Sequence, residues 1–220
     1  MKKLAALLLA VIMVLSLAAC GGASAPAETK APAADPAETT AAADAPAAPA
    51  APAGEAAYTY EGKLKAPFLV TTCGQSTGSV MFHMVAVQAG LTSTDEHQLL
   101  GKEVGTVGAG AKTLVITTGT SGKGMGAAGT DVDDEIARCT EVAQAAKAAG
   151  MLIVVAHVEG MSRRTDANDQ ASIDAMLPFA DVIVCVADSD SDGLFTNYAN
   201  EHNIPLIVAP DTLSLSAYME

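Results

Sequence analysis

The chain has no tryptophan, and tyrosine and phenylalanine number only four each. It is also poor in cations. Twelve Lys and Arg face 25 Asp and Glu, for a formal net charge of -13. From Pro67 onward the imbalance is 19 acids against 7 Lys and Arg. A surface this acidic excludes nucleic acid and anionic membrane surfaces as partners, because both need clustered positive charge. Cysteine is scarce. Beyond Cys20 only Cys73, Cys139 and Cys185 remain, an odd count that makes no disulfide framework. No apolar run reaches the roughly 20 residues of a confident membrane span. Internal repeats are absent. So is a Walker A loop, since Lys123 is followed by Gly124 where that motif needs Ser or Thr.

What is present falls into three unequal parts. Residues 1–19 carry a basic start, Lys2 and Lys3, then an apolar run, the layout of a secretory signal. The signal ends in Leu17-Ala18-Ala19-Cys20, followed by Gly21-Gly22. This resembles the lipobox of bacterial lipoproteins, which implies cleavage before Cys20 and lipid attachment to its sulfur. The alternative is plain secretion. Acyl chains on one residue would hold the protein stably to the extracytoplasmic face of a cell membrane. Residues 20–57 follow as a linker nearly all Ala, Pro, Glu, Asp, Thr and Gly, without an aromatic residue, holding six of the ten prolines. Such a composition buries too little apolar surface to offset its ordering entropy and is expected to be disordered. Residues 58–220 hold all eight Tyr and Phe and are long enough for one domain with a core.

Within that domain short apolar runs alternate with helical patterns. The runs are Pro67–Thr72, Thr113–Thr118, Met151–Ala156, Asp181–Val186 and Pro205–Val208. Continuous apolar runs of this length suit strands buried on both faces of a parallel sheet. Helices are expected over Gly78–Ala89, Asp131–Ala149 (ended by Gly150), Ser172–Phe179 and Gly193–His202, and Leu91–Gly110 has room for a further short strand. The alternation predicts a three-layer αβα sandwich with a mainly parallel sheet in the order 2-1-3-4-5. That order is taken to set the first strand beside Met151–Ala156.

Ligands of such sheets sit at the carboxyl ends of the strands. The loops there read CGQSTG, GTSGKGMGAAG, HVEGMSRRTDAND, ADSDSDG and APD, and they hold nearly every unusual residue of the domain. The stretches GQS, SGKGMGAAG, HVEG..RR and DGLF together resemble a bacterial domain family of uncharacterised function found in secreted and lipid-anchored proteins. The resemblance spans most of Pro67–Val208 and implies a Rossmann-like fold, with no established reaction. Glu159 stands where that family's pattern would have glycine.

The second loop is a poor phosphate cradle, because Asp131, Asp133, Asp134 and Glu135 already occupy the helix start behind it. Thr130 with Asp133 reads as a capping-box variant there. Its glycines instead let the backbone approach something closely. Lys123 reaches the crevice or pairs with those acids, and Ser121 lies beside it. The better anion seat is the first loop, where Gln75, Ser76 and Thr77 open a helix without acids. Arg163 and Arg164 then face it as a carboxylate or phosphate fork, or else neutralise Asp166 and Asp169. His157 would help shape that pocket.

Three functions remain open at this point. The leading one is a binding domain for a small anionic solute, with no cofactor. The second is a serine hydrolase. Gly74-x-Ser76-x-Gly78 fits a nucleophile elbow, with His157 as base and Glu159 orienting it. The loop also resembles esterases with a Gly-Asp-Ser block, but Gln75 replaces the Asp and no late Asp-x-x-His pair exists. His202, at a helix end, reads as surface. Cys73, at a strand end, is the remaining nucleophile. The third is a calcium-dependent interaction module, since Asp188, Asp190, Asp192 and Gly193 match the start of a calcium loop. Ala199 stands at its twelfth position and Glu201 falls two residues late. The alternative is an acidic helix N-terminus.

Overall fold

A computed structural model describes residue 56 and residues 58–220. The signal sequence, Cys20 and, apart from residue 56, the linker lie outside the described residues. Among the described residues no helix is long and apolar enough to cross a membrane.

Six strands form one sheet: β1 (Phe68–Cys73), β2 (Ser93–Asp95), β3 (Thr113–Thr118), β4 (Leu152–His157), β5 (Val182–Val186) and β6 (Leu206–Ala209). All pairings are parallel, in the order β2-β1-β3-β4-β5-β6. The five apolar runs are five of these strands, and β2 is the short strand of the Leu91–Gly110 segment. The sheet is therefore the expected Rossmann-like one, with β2 added at its edge. One adjacency needs correction. Met151–Ala156 is not beside the first strand; β3 lies between, pairing with β1 from Phe68↔Thr113 to Cys73↔Thr118.

Every residue of β1, β3, β4 and β5 is buried, as expected of strands covered on both faces. One face carries helices α2 (Val104–Val107), α4 (Val132–Ala148), α5 (Ala167–Met176) and α6 (Leu194–His202). They pack Val104, Cys139, Val142, Ile173 and Phe195 against Leu69, Ile116, Ile153 and Ile183. The other face carries α1 (Gly78–Gln88) and a 3-10 segment, Leu213–Tyr218. There Phe82, Val85 and Leu215 meet Val70, Val115, Val154 and Val184. Leu64 bridges Met219 in parallel at the amino edge of the sheet. The Leu64 and Ala66 N–H groups donate to the Tyr218 and Glu220 carbonyls, and the Glu220 N–H donates to the Leu64 carbonyl.

Three local expectations are corrected by capping and packing. The helix behind the glycine-rich stretch is N-capped by Asp131, whose carboxylate accepts the Asp134 N–H, not by Thr130 with Asp133. Helix α5 begins at Ala167, not Ser172, because Asp166 accepts the Asn168 and Asp169 N–H groups as N-cap. The glycine-rich stretch is not a loop. Gly122–Ala128 forms a helix, α3, N-capped by Ser121 and stopped at Gly129 in the left-handed region.

The close approach expected of those glycines is real, and its partner is the first loop. A Cβ on Gly124 would lie inside contact distance of the Gln75 carbonyl oxygen. Gly126, on the same short helix, faces open space. Gly124→Ala is therefore expected to destabilise the domain by about 2 kcal/mol through overpacking against backbone, lowering the melting temperature by roughly 4–8 °C. Gly126→Ala is expected to be neutral or mildly stabilising, since Ala is the better helix former. Thermal melts by circular dichroism of the two variants check both.

Candidate functional site at the carboxyl edge of the sheet

The carboxyl edge is closed by the protein's own carboxylates, each reaching across to another loop. Glu135, in the first turn of α4, accepts the Gly74 N–H at 3.1 Å and the Gln75 Nε2 amide. Its partner Arg138, 2.7 Å away, donates onward to the carbonyls of Thr72 and Leu99. Asp169, in α5, accepts from the N–H and hydroxyl of both Thr120 and Thr165. Burial alone would raise its pKa, but these four donors hold it below the usual carboxylate value. The Ser172 hydroxyl receives the Gly119 N–H.

The seat at the start of α1 is filled in the same manner. Glu159, after β4, places Oε1 2.8 Å from the Gly78 N–H and Oε2 2.8 Å from the Thr77 hydroxyl. The Arg163 Nε donates to the same Oε2 at 3.2 Å, while its Nη1 donates to the Thr120 carbonyl. Helix start, hydroxyl and guanidinium thus converge on one carboxylate, the arrangement that backbone N–H groups and the helix dipole favour. Gly119 makes room for it with φ +99, since a Cβ there would collide with Arg163.

The residues expected at the site separate into groups. Thr77 and Arg163 meet, through Glu159. Gln75 turns instead to Glu135, adopting φ 55 to do so. Ser76 is fully buried, with its hydroxyl 3.3 Å from that of Thr72. Ser121 caps α3 and Lys123 is exposed on it, in none of the ion pairs among the described residues. Arg164 points away, to a bidentate pair with Asp192 and to the Ser189 carbonyl. That pair brings Asp192 down to about 2. The arginines therefore do not neutralise Asp166 and Asp169, as the alternative reading supposed. Their partners are Glu159 and Asp192.

His157 is buried with both ring nitrogens engaged. The Gly160 carbonyl can only accept, so Nε2 carries the proton; Nδ1 then faces the Thr118 hydroxyl at 3.0 Å. Burial lowers its pKa to about 4. No hydrogen bond joins it to Ser76 or Glu159 among the described residues. A hydrogen bond to Cys139, then burial, pushes the Cys73 thiol well above its ordinary value, against nucleophilic use. His202 is exposed at the end of α6, as expected.

The aspartates of the calcium-like loop are each committed elsewhere. Asp188 accepts the Met161 N–H, Asp190 accepts the Phe195 and Thr196 N–H groups, and Asp192 holds Arg164. No group of three or more His, Cys, Asp or Glu among the described residues is placed to hold a metal ion.

One cluster has no counterpart in the sequence reading. His97, just after β2, sets Nε2 3.0 Å from the Ser79 hydroxyl and 3.4 Å from Asp95. Hydrogen bonding to Asp95 raises its pKa against the opposing effect of burial. Both partners share one nitrogen, so this is not the relay of a nucleophilic triad, which uses both. Ser79 lies three residues beyond Ser76, but nothing local to Asp95 or His97 signals the meeting.

A doubly wound parallel α/β domain with the carboxyl edge of its sheet cross-bridged by carboxylates is the class that the fold defines. The chain belongs to the family described as a domain of unknown function (DUF6305), whose model matches residues 65–220. No curated protein matches the chain.

His157 makes the domain sensitive to acid. Its folded pKa lies below the unfolded value, so the unfolded state binds more protons between about pH 6.5 and 4, and stability falls as pH drops through that window. The loss between pH 7 and pH 5 is expected to be about 2 kcal/mol from this group. His97 has the opposite sign. A His157→Gln variant is expected to show a flatter stability–pH curve in urea titrations at pH 7, 6 and 5, whatever its absolute stability.

Proposed function

We propose that this chain is a lipid-anchored, extracytoplasmic binding domain that takes a small anionic solute at the start of α1. The solute, a carboxylate or phosphate, binds by exchange with the Glu159 side chain. One observation carries the reading. A carboxylate already sits on the Gly78 N–H, the Thr77 hydroxyl and Arg163, and it belongs to a loop rather than a strand. A seat that holds a side-chain carboxylate offers a free one the same donors. The lipobox-like Leu17–Cys20 supports the anchored location, and the acidic surface favours a small ligand over a polyanion.

The binding residues in this reading are Thr77, Gly78 and Arg163, with Lys123, exposed on α3, as a further candidate. Ser76 and Gln75 shape the loop from below. No step of chemistry is needed, and the engaged nitrogens of His157 supply no base for one.

Glu159→Ala tests the exchange. The variant is expected to lose about 1 kcal/mol by uncapping α1. Inorganic phosphate, acetate or succinate at about 100 times its dissociation constant should then add roughly 2.7 kcal/mol. The wild type should shift less, since Glu159 competes, and Glu159→Ala with Arg163→Ala should not shift at all. If none of these anions moves the melting temperature of Glu159→Ala, Glu159 is a structural cap and the reading fails.

A further inference from the structure

The two faces of the sheet are covered unequally. Helix α1 and one 3-10 segment cover the face opposite α4, and α1 itself is apolar on both sides. Inward it buries Phe82, Val85 and Ala86. Outward it shows Met84 at 54 % and Val87 at 51 % exposure, in line with the half-buried Val80 and Leu91. Spacings of four and three residues put Val80, Met84 and Val87 on one stripe, and Leu91 follows just past the helix end. Apart from His83 and Gln88 the helix beyond its first turn is apolar, and a helix apolar on nearly all sides is normally covered by something.

Charge indicates what covers it. No Asp, Glu, Lys or Arg occurs from Ala66 to Thr94, in a chain whose net charge is -13. Two copies of so acidic a protein repel over most of their surfaces and approach most easily through this stretch. The two ends of α1 carry opposite signs. Its C-terminal end, Gly90 and Leu91, opens into a cleft of about 380 Å³ that Lys65 and Lys112 also line, with Glu220 3.8 Å from Lys65. Beyond its N-terminal end lie Asp95 and Glu96, tied to Ser79 through His97. Antiparallel pairing of two α1 helices sets the lysine end of each copy against the Asp95–Glu96 end of the other. Parallel pairing would set like against like. A two-fold axis perpendicular to α1 generates this arrangement, with the same patch used on both copies.

We infer that the outward face of α1 is the seat of a second copy of this chain, docked antiparallel across a two-fold axis. The Val80–Met84–Val87–Leu91 stripe forms the dry centre. Lys65 and Lys112 of each copy form a polar rim with Asp95 and Glu96 of the other. Neither the lysine cleft nor α1's stripe touches the Glu159 seat, so the inference stands apart from anion binding.

Sedimentation equilibrium of the full-length chain carrying Cys20→Ser, which removes the thiol expected to be acylated, reads the outcome. A dimer with a dissociation constant on the order of 10 μM or tighter is expected. Met84→Asp should sediment as a monomer with an unchanged circular dichroism spectrum and melt, since Met84 makes no core contact. Lys112→Glu should weaken the dimer by about fivefold, as rim charges do, and Lys112→Glu with Glu96→Lys should recover it. A wild type that stays monomeric, or a dimer that Met84→Asp leaves intact, overturns the inference. So does a monomer that floats with phosphatidylglycerol vesicles unless Met84→Asp is present, which would assign the face to lipid.

Discussion

The Glu135–Arg138 pair is the constraint on which the carboxyl edge depends. The two side chains lie almost wholly inside the protein, at 3 % and 11 % exposure. A buried ion pair is tolerated only when its remaining donors and acceptors are also satisfied. Here they are satisfied by the backbone of another element. Glu135 takes the Gly74 N–H and the Gln75 amide, and Arg138 takes the Thr72 and Leu99 carbonyls. The end of β1 is therefore held to the first turn of α4 by charge-assisted bonds on both sides of the chain reversal. Gly74 can turn there because it reaches φ 122, and Gln75 follows with φ 55. Once that reversal is fixed, the Gln75 carbonyl lies where Gly124 must pass, and the Thr77–Gly78 seat faces the loop that carries Glu159.

From this clamp outward the edge follows one rule. Backbone N–H groups left open at loop reversals and helix starts are met by side-chain carboxylates, most of them from distant elements: Glu135, Glu159, Asp169, Asp188 and Asp190. In an acidic domain this is a physical use for surplus acids. Each sits where partial positive charge is exposed and costs less to bury than it would elsewhere. The arrangement also changes what an anion site means here. In the proposed binding role a ligand would not fill a vacancy but replace a resident, and selectivity would be a difference between two carboxylates competing for the same donors.

The strands were legible because β1, β3, β4 and β5 are apolar without interruption, a pattern only a doubly covered sheet demands. Strand β2 was faint because Ser93-Thr94-Asp95 has no such run. Helix α3 was read as a loop because Gly122, Gly124 and Gly126 carry poor helix propensity, which tertiary packing against Gln75 and the Ser121 cap override. Of the carboxyl edge, the sequence named Thr77 and Arg163, which the structure brings together. It did not show their common partner. Glu159 lies 81 residues from Gly78, and Glu135 lies 61 from Gly74. Periodicity carries no record of contacts at such range. The Arg163–Arg164 pair illustrates the limit, since adjacent and identical side chains diverge to Glu159 and Asp192 because a short 3-10 turn ends between them.

The parallel bridge between residues 64–66 and 218–220 bears on how the domain carries load. Those bonds lie at the amino edge, just before β1, and the Glu159 seat lies at the other end of the same strands. Tension applied through the residues before Leu64 meets the packing of Tyr58 and Tyr60 and the Tyr58 hydroxyl bonds to Thr113 and Lys65, and then the Leu64–Tyr218 and Ala66–Glu220 bonds. Bonds loaded together in shear share the force, whereas bonds peeled one at a time do not. The last residues of the chain thus act as a strain relief, so that a pull at one end of the sheet is absorbed before it reaches the turn that Glu135 holds at the other.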